Sequence, residues 1–159
     1  MAMLVNPGDC FCFGKSMLKR GLPPYLMFLV TSDCNAECAH CLYWRKPNGG
    51  EMLSLREIEK ISKNFKKLLF LNLGGGEPFT RKDLPEIAEI FSRNCRVKNI
   101  STTTNGILSK KIVSDTKRVL ENCNSNFSVN VSLDAIGKVT TKSGGLRGFS
   151  GRHAILSGN

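Results

Sequence analysis

Three cysteines, Cys34, Cys38 and Cys41, fall within eight residues, with three and then two residues between them. They follow an apolar run at residues 25–30, where a buried strand should give way to a loop, and such a loop can turn three thiolates onto one object. Iron–sulfur clusters are held by Cys thiolates, usually four, so a site with three leaves one iron open to a small-molecule ligand. Zinc sites use similar spacings, and in a closed zinc shell Cys10, Cys12 or His40 would be the completing ligand.

The other residues that could do chemistry are Gly75, Gly76 and Glu77, Thr104 with Asn105, and Ser132 with Asp134. Glycines lack a Cβ, so their backbone can come within hydrogen-bonding range of a ligand. A plain strand-to-helix turn would use the same residues. A phosphate loop is disfavoured because no Gly-Lys-Ser/Thr follows. Short polar side chains can bind hydroxyl or carboxylate groups. Asn105-Gly106 serves equally as turn chemistry, and Asp134 as a solvated turn residue.

These residues need elements to position them. The unbroken apolar run at 25–31 predicts a strand covered on both faces. A turn is expected at residues 46–50. Ser54 with Glu57 forms a capping box, opening a helix whose stripe is Leu55, Ile58, Ile61, Phe65 and Leu68. Residues 69–73 predict a second strand, and Asp83 with Glu86 marks the next helix, buried through Leu84, Ile87, Ala88, Ile90 and Phe91. A third strand is expected at 97–104, a third helix at 109–121 with Ile112, Val113, Val119 and Leu120 on one side, and a fourth strand at 127–133. Alternating strands and helices imply right-handed crossovers and a parallel sheet. Each group of chemistry-bearing residues then falls at the C-terminal end of a strand, the edge where parallel α/β folds bind ligands.

At 159 residues the chain can bury one core. Its longest apolar run is far short of the roughly 20 residues a bilayer span needs, and residues 1–12 lack a signal-peptide pattern, so no membrane role and a cytoplasmic location are expected. Seven cysteines, three of them crowded, favour a reducing compartment and a metal role over a disulfide scaffold. Cys95 and Cys123 stand alone near helix ends and read as inert. The net charge of +10 suits an anionic partner, but no aromatic residues interleave with the scattered Lys and Arg, so nucleic acid is disfavoured and a solvated basic surface preferred.

The cysteine spacing resembles the motif of the radical S-adenosylmethionine (radical SAM) enzymes. The resemblance implies that Cys34, Cys38 and Cys41 hold a [4Fe-4S] cluster and that S-adenosyl-L-methionine chelates the fourth iron. It places His40 near the adenine, and Asn35 after the first cysteine is common there. Gly75, Gly76 and Glu77 have the form of the second signature: the glycine carbonyls would accept from the methionine amino group, with Glu77 ordering the loop. Asn105 and Ser132 would bind the ribose hydroxyls or the cofactor carboxylate, Ser132 being the better match. The implied chemistry is one-electron cleavage of the sulfonium to methionine and a 5′-deoxyadenosyl radical that abstracts hydrogen from a substrate, a peptide or small molecule. An electron donor such as flavodoxin or ferredoxin is implied too.

The resemblance covers roughly residues 24–137. It implies a partial parallel (β/α) barrel of TIM-like type, truncated after about four strands where the family has six strand–helix units. The expected division is an irregular lead-in at 1–24, an incomplete core at 25–137, and an atypical, disordered tail at 138–159. The tail is Gly/Ser-rich where a fourth helix belongs, and it reads as a frameshifted or truncated stretch of a longer gene, or as a half-barrel that pairs with another chain. The competing function is a non-catalytic module, structural zinc or iron–sulfur, or a basic nucleic-acid-binding domain.

Overall fold

A computed structural model describes residues 23–38, 41 and 50–132. Cys10, Cys12, His40, Asp134, the turn at 46–49 and the tail at 138–159 lie outside the described residues. In order the elements are β1 (Tyr25–Thr31), α1 (Leu55–Ser62), β2 (Phe70–Gly75), a single 3-10 turn (Pro78–Thr80), α2 (Leu84–Cys95), β3 (Asn99–Thr104), α3 (Ser109–Asn122) and β4 (Asn126–Val131). The four strands form one sheet in the order β1-β2-β3-β4, every neighbouring pair parallel. The strand–helix alternation read from the sequence therefore holds.

The period-2 alternation of each strand sends one set of side chains onto the helices. Val30, Leu71, Leu73 and Ile100 from the sheet meet Ile58 of α1, Ile87 and Phe91 of α2 and Val119 of α3 in a single buried core. Phe28 packs its ring edge against Phe91, with centroids 5.3 Å apart. Expectation and structure part at β1, which is covered on one face only among the described residues: Tyr25, Met27 and Leu29 stay 46%, 59% and 50% exposed. Unbroken apolarity does not by itself distinguish a strand buried on both faces from one buried on a single face.

The capping box at Ser54 forms as expected: the Ser54 N–H donates to Glu57 Oε2 at 2.9 Å, and the Glu57 N–H donates to Ser54 Oγ at 3.4 Å. Hydrogen bonding by the Ser54 hydroxyl holds the Glu57 carboxyl below its ordinary range. The helix stops at Ser62, so Phe65 and Leu68 pack on the core from the following segment rather than from the helix. The stripe expected on α3 is also redrawn. Val119 is buried and Ile112 half-buried against the core, but Val113 and Leu120 are exposed, and Asp115 takes the inward position between them. Lys111, one turn earlier, pairs with Asp115 and supplies the charge that this buried carboxylate needs.

Asp83 precedes α2 as expected, yet its side chain makes no cap bond. Its carboxylate instead receives the buried Arg81 guanidinium, Nε to Oδ1 at 2.6 Å and Nη2 to Oδ2 at 3.1 Å, which holds the Asp83 carboxyl below its ordinary range. The same guanidinium donates to the carbonyls of Val30 at the end of β1 and Leu53 ahead of α1. One side chain thus ties three segments behind the strand ends. Arg81→Met keeps the length but removes every donor, and is expected to cost about 2 kcal/mol, read as a lower urea midpoint.

Candidate active site

The C-terminal ends of the four strands are joined by a continuous seam of hydrogen bonds. Parallel pairing of β1 with β2 ends at Thr31 opposite Gly75. It continues past the strands, because the Gly76 N–H donates to Thr31 O and the Glu77 N–H to Asp33 O, both at 2.8 Å. The Thr31 hydroxyl accepts from the Asp33 N–H at 3.0 Å and fixes the turn into Cys34. The cysteine loop therefore begins clamped to the glycine segment.

Glu77 extends the seam. It is 1% exposed. Its Oε1 accepts from the Thr104 hydroxyl at 2.8 Å and the Phe79 N–H at 3.2 Å, and its Oε2 accepts from the Asn105 N–H at 2.8 Å. Three donors satisfy a carboxylate that burial would otherwise penalise, and in doing so join the end of β2 to the end of β3.

Asn105 then closes back on the cysteines. Its Nδ2 donates to Asn35 Oδ1 at 2.8 Å and lies 4.0 Å from Cys34 Sγ, while its Oδ1 accepts from the Ile107 N–H at 3.0 Å. The turn chemistry read from the sequence is present, and the same side chain also reaches the cysteine loop. At the far side the Ser132 N–H donates to Thr104 O at 2.8 Å. Asn105→Ala is expected to lose about 1 kcal/mol in urea and to speed hydrogen exchange at the Ile107 amide, since all three contacts of the side chain go at once.

The two glycines are explained by the seam itself. Gly75 has φ +123, and a Cβ there would sit 2.1 Å from Thr31 O. A Cβ on Gly76 would sit 2.2 Å from Asp33 O. Both positions are closed to any side chain by the backbone of β1 and its loop, before any ligand is considered.

Cys34, Cys38 and Cys41 are each partly exposed on this rim. The Cys41 N–H donates to Cys38 O at 3.0 Å, a turn that draws those two positions together. Burial pushes the Cys34 thiol up, and the negative charges of Glu77 and Cys41 act in the same direction, against hydrogen bonds from the Ala36 backbone and Asn105. Among the described residues, no three Cys, His, Asp or Glu side chains stand together as a finished metal site.

The structure brings Cys34, Cys38, Cys41, Gly75, Gly76, Glu77, Asn105 and Ser132 to one edge of the sheet. Cys95 and Cys123 are buried, and burial pushes both thiols up to about 11. Sequence reasoning missed Arg81, whose one signal was an acidic residue two positions on, and gave Thr31 no part in the site.

Residues 28–150 match the family model of the radical SAM superfamily. The chain is 40% identical over 111 residues to a probable GTP 3′,8-cyclase of Methanococcus vannielii, covering 67% of this chain and 35% of that protein. It is 34% identical over 117 residues to the GTP 3′,8-cyclase of Haemophilus influenzae, covering 70% of this chain and 33% of that protein. The chain thus spans about a third of the length of these curated relatives. The crystal structure of Streptococcus suis SuiB bound to S-adenosylmethionine shares the fold, with a TM-score of 0.63 at 20% identity over 84% of this chain and 31% of that one. No described helix is long and apolar enough to cross a membrane. This chain belongs to the radical SAM superfamily, whose enzymes work with a [4Fe-4S] cluster and S-adenosylmethionine.

Proposed function

We propose that this chain is the cofactor-binding part of a radical SAM enzyme, with residues 25–137 as its core and Cys34, Cys38 and Cys41 as the cluster ligands. The observation that carries the reading is the seam: the cysteine loop and the glycine segment are clamped backbone to backbone at the C-terminal rim of a parallel sheet. The donor set fits the group. Three thiols on one loop offer soft ligands suited to iron–sulfur, and leave one coordination position for a chelating cofactor.

When bound, the cluster and the sulfonium cofactor supply one-electron cleavage and hydrogen abstraction from a substrate. The chain's own residues bind and orient. Gly75 and Gly76 present backbone to the methionyl amino group, and Glu77 holds that backbone by spending both carboxylate oxygens inside the protein. Asn105 and Ser132 supply polar groups at the ends of β3 and β4 for the ribose or the carboxylate. His40 is assigned to the adenine by resemblance alone. The net charge of +10 suits an acidic electron donor such as flavodoxin or ferredoxin.

Anaerobic reconstitution with iron and sulfide, followed by dithionite and S-adenosylmethionine, tests the proposal. The expected result is close to four irons per chain and formation of 5′-deoxyadenosine. Zinc retained in place of iron, with no cluster after reconstitution, would overturn it.

A further inference from the structure

The stretch that carries Cys34, Cys38 and Cys41 leaves the sheet after Val30 and comes back to the helical layer at Leu53, just ahead of α1. Both of these ends meet one guanidinium. Arg81 Nη1 donates to Val30 O at 2.6 Å, and Nη2 donates to Leu53 O at 2.5 Å. The β1–β2 register passes from Leu29 opposite Gly74 to Thr31 opposite Gly75, which leaves Val30 without an opposite residue on β2; its carbonyl is taken by the arginine. Ser32 and Gly50 make a second tie between the same two limbs, the Gly50 N–H donating to Ser32 Oγ at 3.2 Å.

The guanidinium is aimed by partners of its own. Asp83 receives Nε and Nη2, the Arg81 N–H donates to Pro78 O at 3.1 Å, and Lys111 Nζ of α3 donates to Arg81 O at 3.2 Å. The side chain is 5% exposed. A planar fork of donors can hold two carbonyls and a carboxylate at once, which a single ammonium cannot. Gly76 and Glu77, at the other end of the 3-10 turn, grip Thr31 and Asp33 on the entry limb, while Arg81 reaches both limbs.

We infer that Arg81 is a positioning residue for the cysteine ligands: by joining Val30 to Leu53 it pins the stem of their loop, which lowers the entropy cost of gathering three thiolates on one group. It acts through the backbone at the two ends of the loop. The inference rests on the reading of Cys34, Cys38 and Cys41 as ligands, and adds the residue that holds their loop.

Cobalt(II) titrated anaerobically into the whole apo chain, read by thiolate-to-metal charge-transfer absorption, tests it, with Cys34→Ser setting the background. Arg81→Met and Arg81→Lys are both expected to weaken cobalt binding about tenfold, at the lower end of what loss of an outer-shell partner costs a metal site. Lysine restores a cation to Asp83, and with it part of the urea midpoint lost in Arg81→Met, but does not bridge the two carbonyls. Val119→Ala removes buried carbon near the end of α3 that leads into β4. It is expected to lower the urea midpoint and leave cobalt binding as it was. Cobalt affinity retained in Arg81→Lys, or lost equally in Val119→Ala, would overturn the inference and leave Arg81 a contributor to stability alone. Cobalt binding that Cys34→Ser does not change would instead sink the ligand reading itself, and the positioning role with it.

Discussion

Serine at Cys34, Cys38 or Cys41 is expected to leave the reconstituted chain with little iron and no measurable formation of 5′-deoxyadenosine. A hydroxyl is a hard, weakly acidic donor where the cluster needs a soft thiolate, and three ligands leave no spare to compensate. The loss should exceed the roughly 10–100-fold seen when an outer-shell partner of a metal site is removed. Cys95 and Cys123 provide the internal control. Both are buried, Cys95 with its thiol donating to Ser62 O at 3.2 Å. Serine at either is expected to leave iron content unchanged. Equal iron loss from Cys95→Ser and Cys34→Ser, with both variants folded, would show that the loop thiols have no special part.

Gly76→Ala is expected to be a severely damaging change at the rim, lowering stability by about 3 kcal/mol and iron loading with it. The added Cβ would fall 2.2 Å from Asp33 O, 2.7 Å from Asp33 C and 2.9 Å from Ser32 O. These are backbone atoms, which cannot rotate away. Relief requires separating the two segments, which breaks the bonds from Gly76 to Thr31 and from Glu77 to Asp33. Gly74→Ala is the contrast. Its Cβ would meet only the side-chain atoms Asn72 Oδ1 at 3.3 Å and Leu29 Cδ2 at 3.7 Å, both able to shift, and a cost within about 1 kcal/mol is expected. Urea unfolding of the two variants separates the explanations. Equal stability would mean that the seam is looser than its distances state.

The sequence made the alternation of strand and helix legible because each element repeats its own period: capping at Ser54, helical spacing from Leu84 to Phe91, alternation from Asn126 to Val131. The same alternation placed the cysteines, glycines, Asn105 and Ser132 at one edge, since parallel strands all end on the same side. What stayed hidden depends on contacts between distant residues. Local sequence allows Asp83 either to cap α2 or to pair with Arg81, and what fixes Arg81 is its bonds to the distant Val30 and Leu53 carbonyls; nor does anything local announce that Asp115 rather than Val113 faces inward. Nothing near Gly75 and Gly76 in sequence shows that Thr31 at the end of β1 and Asp33 in its loop also require these positions to lack a side chain. Glu77 shows the limit most plainly: its sequence neighbours mark a turn, but its partners Thr104 and Asn105 lie 27 and 28 residues away.

Cys34, Cys38 and Cys41 are proposed to hold a cluster with one iron left open. Electron paramagnetic resonance of the reduced, reconstituted chain, recorded with and without S-adenosylmethionine, tests this most directly. A [4Fe-4S] signal whose shape changes when the cofactor is added is the predicted result. A cluster signal that the cofactor leaves unchanged, or no cluster signal at all, would contradict it.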